Sequence, residues 1–249
     1  MQKSTFKFIK HCRRIISRVL FFPFVLKDYF KYKSKDQSKR FELTFWDSWP
    51  FIFDKTISTP FDRHYIYHTA WAARKVKEIN PPKHVDISSS LSFCSIVSAF
   101  VPVAFYDYRP ANLHLDGLTS QSANLTSLHF ESNSIHSLSC MHTIEHIGLG
   151  RYGDPIEPDG DIKAINELKR VVAQGGYLIF VTPIGKKKLL FNGMRIYSYD
   201  QIINLFKDLT LVEFSLIHEY EEDGAITINA SEFVADLEEY GCGCFLFKK

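Results

Sequence analysis

The chain has 249 residues, 45% of them hydrophobic and 23% charged, with a net charge of +2. That is enough to bury one good core, so a single domain is expected. Its five scattered cysteines, Cys12, Cys94, Cys140, Cys242 and Cys244, are an odd set that argues against a disulfide framework and for a reducing compartment.

The small net charge hides an asymmetry. Residues 1–40 hold twelve Lys/Arg against Asp28 and Asp36, a surplus of ten, which leaves the remainder with eight more acids than bases. A basic arm on an acidic body points to an anionic surface as the arm's partner. Phe6, Ile9, Cys12, Ile15, Ile16, Val19 and Leu20 recur at helical spacing, with Lys10, Arg13, Arg14 and Arg18 between them. The purely apolar run 19–26 is too short to cross a bilayer and contains Pro23. No small-residue cleavage site follows it. A helix lying in an anionic membrane interface fits this pattern. A helix docked on its own domain, or on a second subunit of a homo-oligomer, fits it equally. Residues 31–40 are polar and charged and read as a linker. The expected division is a basic amphipathic arm and linker over 1–40 and a folded domain over 41–249.

Residues 41–60 are aromatic and irregular and read as a wrap over the domain. Helical periodicity through Tyr65, Ala70, Ala73 and Val76 covers 61–79 and stops before Pro81-Pro82. A strand over 84–87 and a helix over 91–100 follow, then a strand over 103–106 ending in Asp107 and a short strand near 113–115. The apolar run 135–141 makes the next strand, ending in His142, Glu145 and His146. A Gly-rich loop leads to a helix over 160–172. Gly175-Gly176 then turn the chain into a buried strand over 177–181, stopped by Thr182-Pro183. Strand, loop, helix, glycine turn and strand make one βαβ crossover with parallel strands. A helix over 199–207, a strand over 211–217 and a last strand over 244–247 complete the pattern. Alternation of this kind implies a doubly wound, mostly parallel α/β sheet. Ligands in such sheets sit outside the carboxyl ends of the strands, which places the polar run 142–154 where chemistry occurs.

The strings LHFESNSIHSLSCMHTIEHI and INELKRVVAQGGYLIFVTP resemble the second half of class I S-adenosylmethionine-dependent methyltransferases. The family has a Leu-Pro-Phe-like turn there, a strand ending near Glu-His, and a helix ending Arg-Val-Leu-x-x-Gly-Gly. The resemblance covers about residues 62–216. The finer strings IGLGRYGDP and FNGMRIYS resemble a methyltransferase-like branch associated with surface-glycan synthesis. The family implies a seven-stranded Rossmann-like sheet whose last strand runs antiparallel, with S-adenosylmethionine as the cofactor.

The resemblance also implies roles for residues. Asp86 opens the turn DISSSLS, where Ser88, Ser90 and Ser92 stand at the family's glycine positions. Glycines there let backbone N–H groups approach the cofactor with no Cβ in the way. Without the resemblance the string is a capped helix start. Asp107, with Tyr108 beside it, is expected to accept from both ribose hydroxyls, since a carboxylate only accepts. An acid paired with Arg109 is the alternative. Asn124, next to Leu125, stands where the family has an acid for the adenine amino group. His142 and His146 are the catalytic candidates, because a hydroxyl loses its proton as it attacks and histidine titrates near neutrality. Packing beside the cofactor and orienting the loop are their alternatives. Glu145, Arg151, Tyr152 and Asp154, with Asn192 and Arg195, are expected to hold the acceptor. A fork donor, a phenol and an acceptor suit a sugar or a phosphate-bearing group. An Arg151–Asp154 pair inside the loop is the alternative. His64 and Tyr65 either lid the site or pack in the core. No metal is expected, because Cys242 and Cys244 have no second Cys/His pair of zinc-like spacing.

Together these expectations compose methyl transfer from S-adenosylmethionine to a hydroxyl of a glycan or sugar precursor, nucleotide- or lipid-linked. The protein is expected in the cytoplasm, peripheral to the inner face of the membrane. A reading from another class is a catalytically degenerate module of the same fold that binds or assembles glycans, which the serines at glycine positions favour. Nucleic-acid methylation fits less well. The arm lacks interleaved stacking geometry near the site, and the strand ending at residue 141 lacks the Asn/Asp-Pro-Pro-aromatic string associated with amino-group methylation.

Overall fold

A computed structural model describes the backbone of residues 2–249 and the side chains of Ile16 and residues 20–249. The chain divides into two compact units, Met1–Phe61 and Asp62–Lys249. The first is built on helix α1 (Gln2–Lys35), which continues through Pro23. Residues 31–35, expected as linker, therefore belong to the helix. Their lysines are good helix formers, and Lys33 and Lys35 lie where cations suit the negative end of the helix dipole. The aromatic residues 41–60 pack on α1. Phe22 meets Phe45 edge-on at 4.4 Å, Phe21 meets Phe53 at 5.8 Å, and Lys55 pairs with Asp28 at 2.5 Å.

The second unit opens with α2 (Arg63–Ile79), capped by the Asp62 side chain, which accepts from the Tyr65 amide. It ends on Asn80 in the left-handed region, before the two prolines. Then come β1 (His84–Ile87), α3 (Leu91–Val97), β2 (Val103–Asp107), β3 (Leu118–Ser122), β4 (Ile135–Met141), α4 (Gly160–Val171) and β5 (Val172–Ile184). The hairpin β6 (Lys188–Leu190) and β7 (Met194–Ile196) precedes α5 (Tyr199–Leu205), β8 (Thr210–Ile217), β9 (Ile226–Ile228), α6 (Glu232–Leu237) and β10 (Gly241–Lys248). The main sheet runs in the order β3-β2-β1-β4-β5-β10-β8-β9. Its first five strands are parallel, and β10 lies antiparallel between β5 and β8. The doubly wound, mostly parallel Rossmann-like sheet is thus present, with eight strands where seven were expected. The addition is β9, three residues on the far edge.

Two further expectations fail locally. The third strand is β3 at Leu118–Ser122 rather than near 113–115, because an edge strand of sequence LTSQS carries no apolar signature. Gly175-Gly176 make no turn between helix and strand. They form an irregularity within β5, with Gly175 at φ +74 and a register shift opposite Ile135 and Ser137. Gly176 lies against the Ala173 carbonyl, too close for a Cβ, with the His136 backbone packed beside it.

Helices α2 and α3 cover one face of the sheet through Trp71, Ala72, Val76, Phe93, Cys94 and Val97. Helices α4, α5 and α6 cover the other through Ile165, Leu168, Ile202 and Ala235, around a fully buried aromatic group of Phe180, Phe206, Phe245 and Phe247. Truncating one such phenylalanine to alanine costs about 3–5 kcal/mol, so this core fixes the strand ends rigidly. Strand order reverses at β1 and β4, and the crevice between their carboxyl ends is where ligands bind in such sheets.

Candidate functional site

The β1–α3 turn is tied down by its own serines. Ser88 adopts φ +58, the left-handed conformation that a glycine would take, and its amide donates to the Tyr106 carbonyl at 2.7 Å. Its hydroxyl turns to the same carbonyl at 3.3 Å. Ser89 Oγ accepts from the Met141 amide, Ser90 Oγ caps α3 at the Phe93 amide, and Thr143 Oγ1 donates to the Ser88 carbonyl. The hydroxyls of Ser88, Ser89 and Ser90 thus serve the backbone and do not plug the crevice. Asp86 lies beneath the turn, fully buried. It accepts from the Ser89 amide at 3.0 Å and from the Ser139 hydroxyl, and burial pushes its pKa up to about 6.

A cavity of about 250 Å³ opens beside this turn. Ser88, Tyr108, Asn124 and Leu125 line it from the strand ends, Ile147, Gly148, Tyr152, Asp154 and Glu157 close it from the loop after β4, and Lys163 from the first turn of α4. Four of the expected cofactor residues, Ser88, Tyr108, Asn124 and Leu125, therefore share one wall. Asp86, Ser90 and Asp107 are not among the residues that line the cavity: the first is buried beneath the turn, the second is a helix cap, and the third stands at the end of its strand next to the lining residue Tyr108. Asp107 ends β2 beside Tyr108, and its Oδ1 accepts from the Arg109 amide at 2.7 Å. The Asn124 oxygen accepts from both the amide and the hydroxyl of Thr126, which leaves its NH2, a donor, for a ligand where an acceptor was expected.

The acceptor residues need larger corrections. Tyr152 and Asp154 line the same cavity as the cofactor residues rather than a separate half of the site. Asp154 also closes its own loop, accepting from the amides of Gly148 and Tyr152, and no pair with Arg151 forms. Gly148 stands at φ +78 against the Glu157 carbonyl, where any Cβ would clash. Asn192 sits at φ +59 in the tight turn between β6 and β7, a backbone role. Arg195 donates to the carbonyls of Ile147 at 2.7 Å and Pro158 at 3.0 Å and lies 3.5 Å from Asp161, so it braces the loop. Arg151 donates to the Gly193 carbonyl and lies over the Tyr152 ring. Arg109 does not pair its side chain with Asp107, and its guanidinium lies over Tyr152 at 4.7 Å.

The two catalytic candidates part company. His146 donates from Nδ1 to the Gly193 carbonyl at 2.7 Å and touches Tyr152 edge-on, and burial lowers its pKa. His142 is turned away into a buried group of its own. Its Nδ1 meets Glu145 Oε1 at 2.9 Å, its Nε2 meets Cys242 Sγ at 3.4 Å, and its ring stacks with those of His64 and Tyr65. Glu145 is 1% exposed, with Oε2 unpartnered, so it is an interior carboxylate and no acceptor contact. Burial pulls His64 down to about 4 and His68 to about 3, so both rings are neutral at pH 7. Sequence reasoning missed His68, Glu157 and Lys163. The four-residue spacing of His64 and His68 on a helix was the available signal, whereas the ion pair of Glu157 and Lys163 at 2.6 Å had none.

The fold has known counterparts. Residues 122–239, less than half of the chain, match the model of a family described as Caenorhabditis protein of unknown function, DUF268. No curated protein matches the sequence. The solved N-methyltransferase NodS from Bradyrhizobium japonicum WM9, in complex with S-adenosyl-l-homocysteine, is similar at a TM-score of 0.53 and 12% identity, over 80% of this chain and 91% of that one. The putative methyltransferase bound to the Haloferax volcanii Trm112 activator is similar at 0.51 and 15%, over 75% and 90%. YcgJ from Bacillus subtilis is similar at 0.50 and 11%, over 74% and 99%. The chain therefore has the Rossmann-like fold of methyltransferases.

Proposed function

We propose that the protein is an S-adenosylmethionine-dependent methyltransferase that acts on a hydroxyl of a sugar or glycan precursor. The observation that carries this reading is the cavity at the ends of β2, β3 and β4, with a carboxylate ending β2 and an aromatic ring following it. The residues present fit the cofactor's nucleoside. Asp107 would accept from the ribose hydroxyls, Tyr108 and Leu125 would flank the base, and the NH2 of Asn124 would donate to a ring nitrogen. Ser88 keeps the left-handed turn with its hydroxyl folded away, which supports room for the rest of the ligand. When bound, the cofactor would supply an electrophilic methyl group to the attacking oxygen. The chain's own share is positioning, together with a base. His146, held at Nδ1 by the Gly193 carbonyl and with Nε2 3.4 Å from Arg151 Nη1, is the proposed base, and burial, which lowers its pKa, favours the neutral ring.

A sugar acceptor bearing phosphate is supported by the rim. Arg109 and Arg151 bring two positive charges over Tyr152, whose phenol is exposed at the cavity mouth. Residues 1–40 are proposed to hold the protein against the anionic inner face of a membrane, where lipid-linked precursors would be within reach.

Calorimetry with S-adenosylmethionine and S-adenosylhomocysteine tests the reading. Both should bind the full-length protein, and Asp107→Ala should weaken binding by about 1.5–3 kcal/mol, the range for a hydrogen bond to a charged group. Unchanged affinity in the variant would remove Asp107 from the site. A folded protein that binds neither compound would favour the glycan-binding module instead.

A further inference from the structure

One buried group of side chains has no part in the proposed transfer. His64 and His68 lie four apart on α2 and so share a helix face, His142 follows β4, and Cys242 opens β10. Ligand atoms of His64, His142 and Cys242 all lie within 4.8 Å of one another, and all three residues are buried. The pair His142 Nε2 and Cys242 Sγ is 3.4 Å apart. Zinc in a tetrahedron, with bonds of about 2.0–2.1 Å to nitrogen and 2.3 Å to sulfur, sets neighbouring ligand atoms about 3.3–3.6 Å apart. One edge of such a tetrahedron is therefore already formed, and closing the others takes about an ångström of side-chain movement.

The surroundings are those of a metal site as well. A ligating imidazole is held in orientation by a hydrogen bond at its other ring nitrogen, often to a buried carboxylate. His142 has this arrangement in Glu145, 2.9 Å from Nδ1. His68 Nδ1 bonds the His64 carbonyl at 2.6 Å, and the Tyr240 backbone bonds the His64 ring. Two buried atoms beside the cluster lack any partner: His68 Nε2, on a ring 4.9 Å from that of His142, and Glu145 Oε2. A free nitrogen lone pair and an incompletely bonded carboxylate oxygen are both relieved by a nearby cation.

We propose that His64, His142 and Cys242 bind Zn²⁺ at this end of the sheet. A sulfur with two imidazoles is a donor set for zinc, whereas magnesium and calcium take oxygen. Binding turns the Cys242 thiol into a thiolate and releases its proton to solvent. Three protein ligands leave a fourth position, open to water or to the unpartnered Nε2 of His68, whose ring lies 4.9 Å from that of His142.

The test uses the full-length protein, stripped of metal and reloaded with Zn²⁺ or Co²⁺. Wild type should take up one equivalent of zinc, and its cobalt form should show a sulfur-to-cobalt charge-transfer band. Cys242→Ala should lose the band, while Cys140→Ala, at a buried cysteine outside the cluster, should keep it. His64→Gln should lower zinc affinity about tenfold or more, and Glu145→Ala about 10–100-fold. Should the variants fail to fold, X-ray absorption on the wild-type zinc form decides: one sulfur with two or three nitrogens supports the site. A wild type that binds no zinc, an all-oxygen shell, or a band that survives Cys242→Ala overturns it.

Discussion

At the scale of single residues, the interior of β1 and β4 carries a polar chain that the fold must stabilise. His84 bonds Ser137 and Ser139 through its two ring nitrogens, each at 2.8 Å, and Ser139 donates on to Asp86. Burial raises the Asp86 pKa to about 6, with the hydrogen bonds from Ser139 and Ser89 opposing that shift. In the unfolded chain the group titrates near 3.9. A raised folded-state value means that the stability contributed by Asp86 is complete below about pH 4 and is lost as pH rises through about 6. At about 1.4 kcal/mol per unit, the loss approaches about 3 kcal/mol at neutral pH. Asparagine fits the same contacts: its oxygen can accept from Ser89, and its NH2 can donate to Ser139, whose hydroxyl can turn to His84. Asp86→Asn should therefore be more stable than wild type near pH 7 by up to about 3 kcal/mol, with the gain vanishing near pH 4. Urea denaturation across this range checks it. The histidines lowered by burial titrate in the opposite sense in both proteins, so the difference between the two is the quantity to follow. A difference independent of pH would show that Asp86 titrates normally.

At the scale of elements, the β6–β7 hairpin explains how a glycine-rich loop can be a cavity wall. The Gly193 carbonyl in its turn accepts from His146 and Arg151, and Arg195 on β7 holds two carbonyls of the loop. Asp161 on α4 accepts from the Tyr197 hydroxyl at 2.9 Å and closes the brace. Arg195→Ala should therefore destabilise the fold by about 2 kcal/mol, as expected for lost charged hydrogen bonds. Hydrogen exchange over residues 147–158 should quicken, and unchanged protection there would reject the bracing role. Little of this was legible in the sequence. Strands β2 and β5 declare themselves by the apolar runs VAFY and YLIFV, β1 and β4 by apolar residues set between turns, and the polar cluster after β4 follows from the crossover. The hairpin is short and exposed, and β3 is polar, so neither has a pattern to read. Arginine and aspartate in IGLGRYGDP and FNGMRIYS look like ligand contacts because those residue types serve both ends. Only the partner distinguishes a brace from a binding group, and the carbonyls that Arg151 and Arg195 hold lie 37 to 48 residues away along the chain. The histidine–cysteine cluster was illegible for the same reason, since its members come from three distant elements.

At the scale of the whole molecule, charge and fold separate in sequence. The surplus of ten basic residues falls in residues 1–40, within the first compact unit, while the second carries the sheet and the cavity. On α1, Ile16, Leu20 and Phe24 stand four apart and are exposed, as is Phe30 further on, with Lys27 and Lys31 exposed among them. Among the described residues no helix is long and apolar enough to cross a membrane. An exposed apolar row amid lysines suits insertion into a headgroup layer, where each basic residue near an anionic surface adds about 1 kcal/mol. Removing residues 1–61 keeps Asp62 and so keeps the cap of α2. The remaining 62–249 should fold, with a cooperative thermal transition, and should retain whatever cofactor affinity the full chain has. Binding to vesicles containing phosphatidylserine should disappear with the deletion. In the full chain it should weaken as salt rises from about 0.01 to 0.1 M, because the screening length falls from about 30 to 10 Å. Flotation with anionic and neutral vesicles measures both effects. Binding that persists in 62–249, or that ignores both lipid charge and salt, would place membrane contact elsewhere and leave the basic residues as a surface for a protein partner.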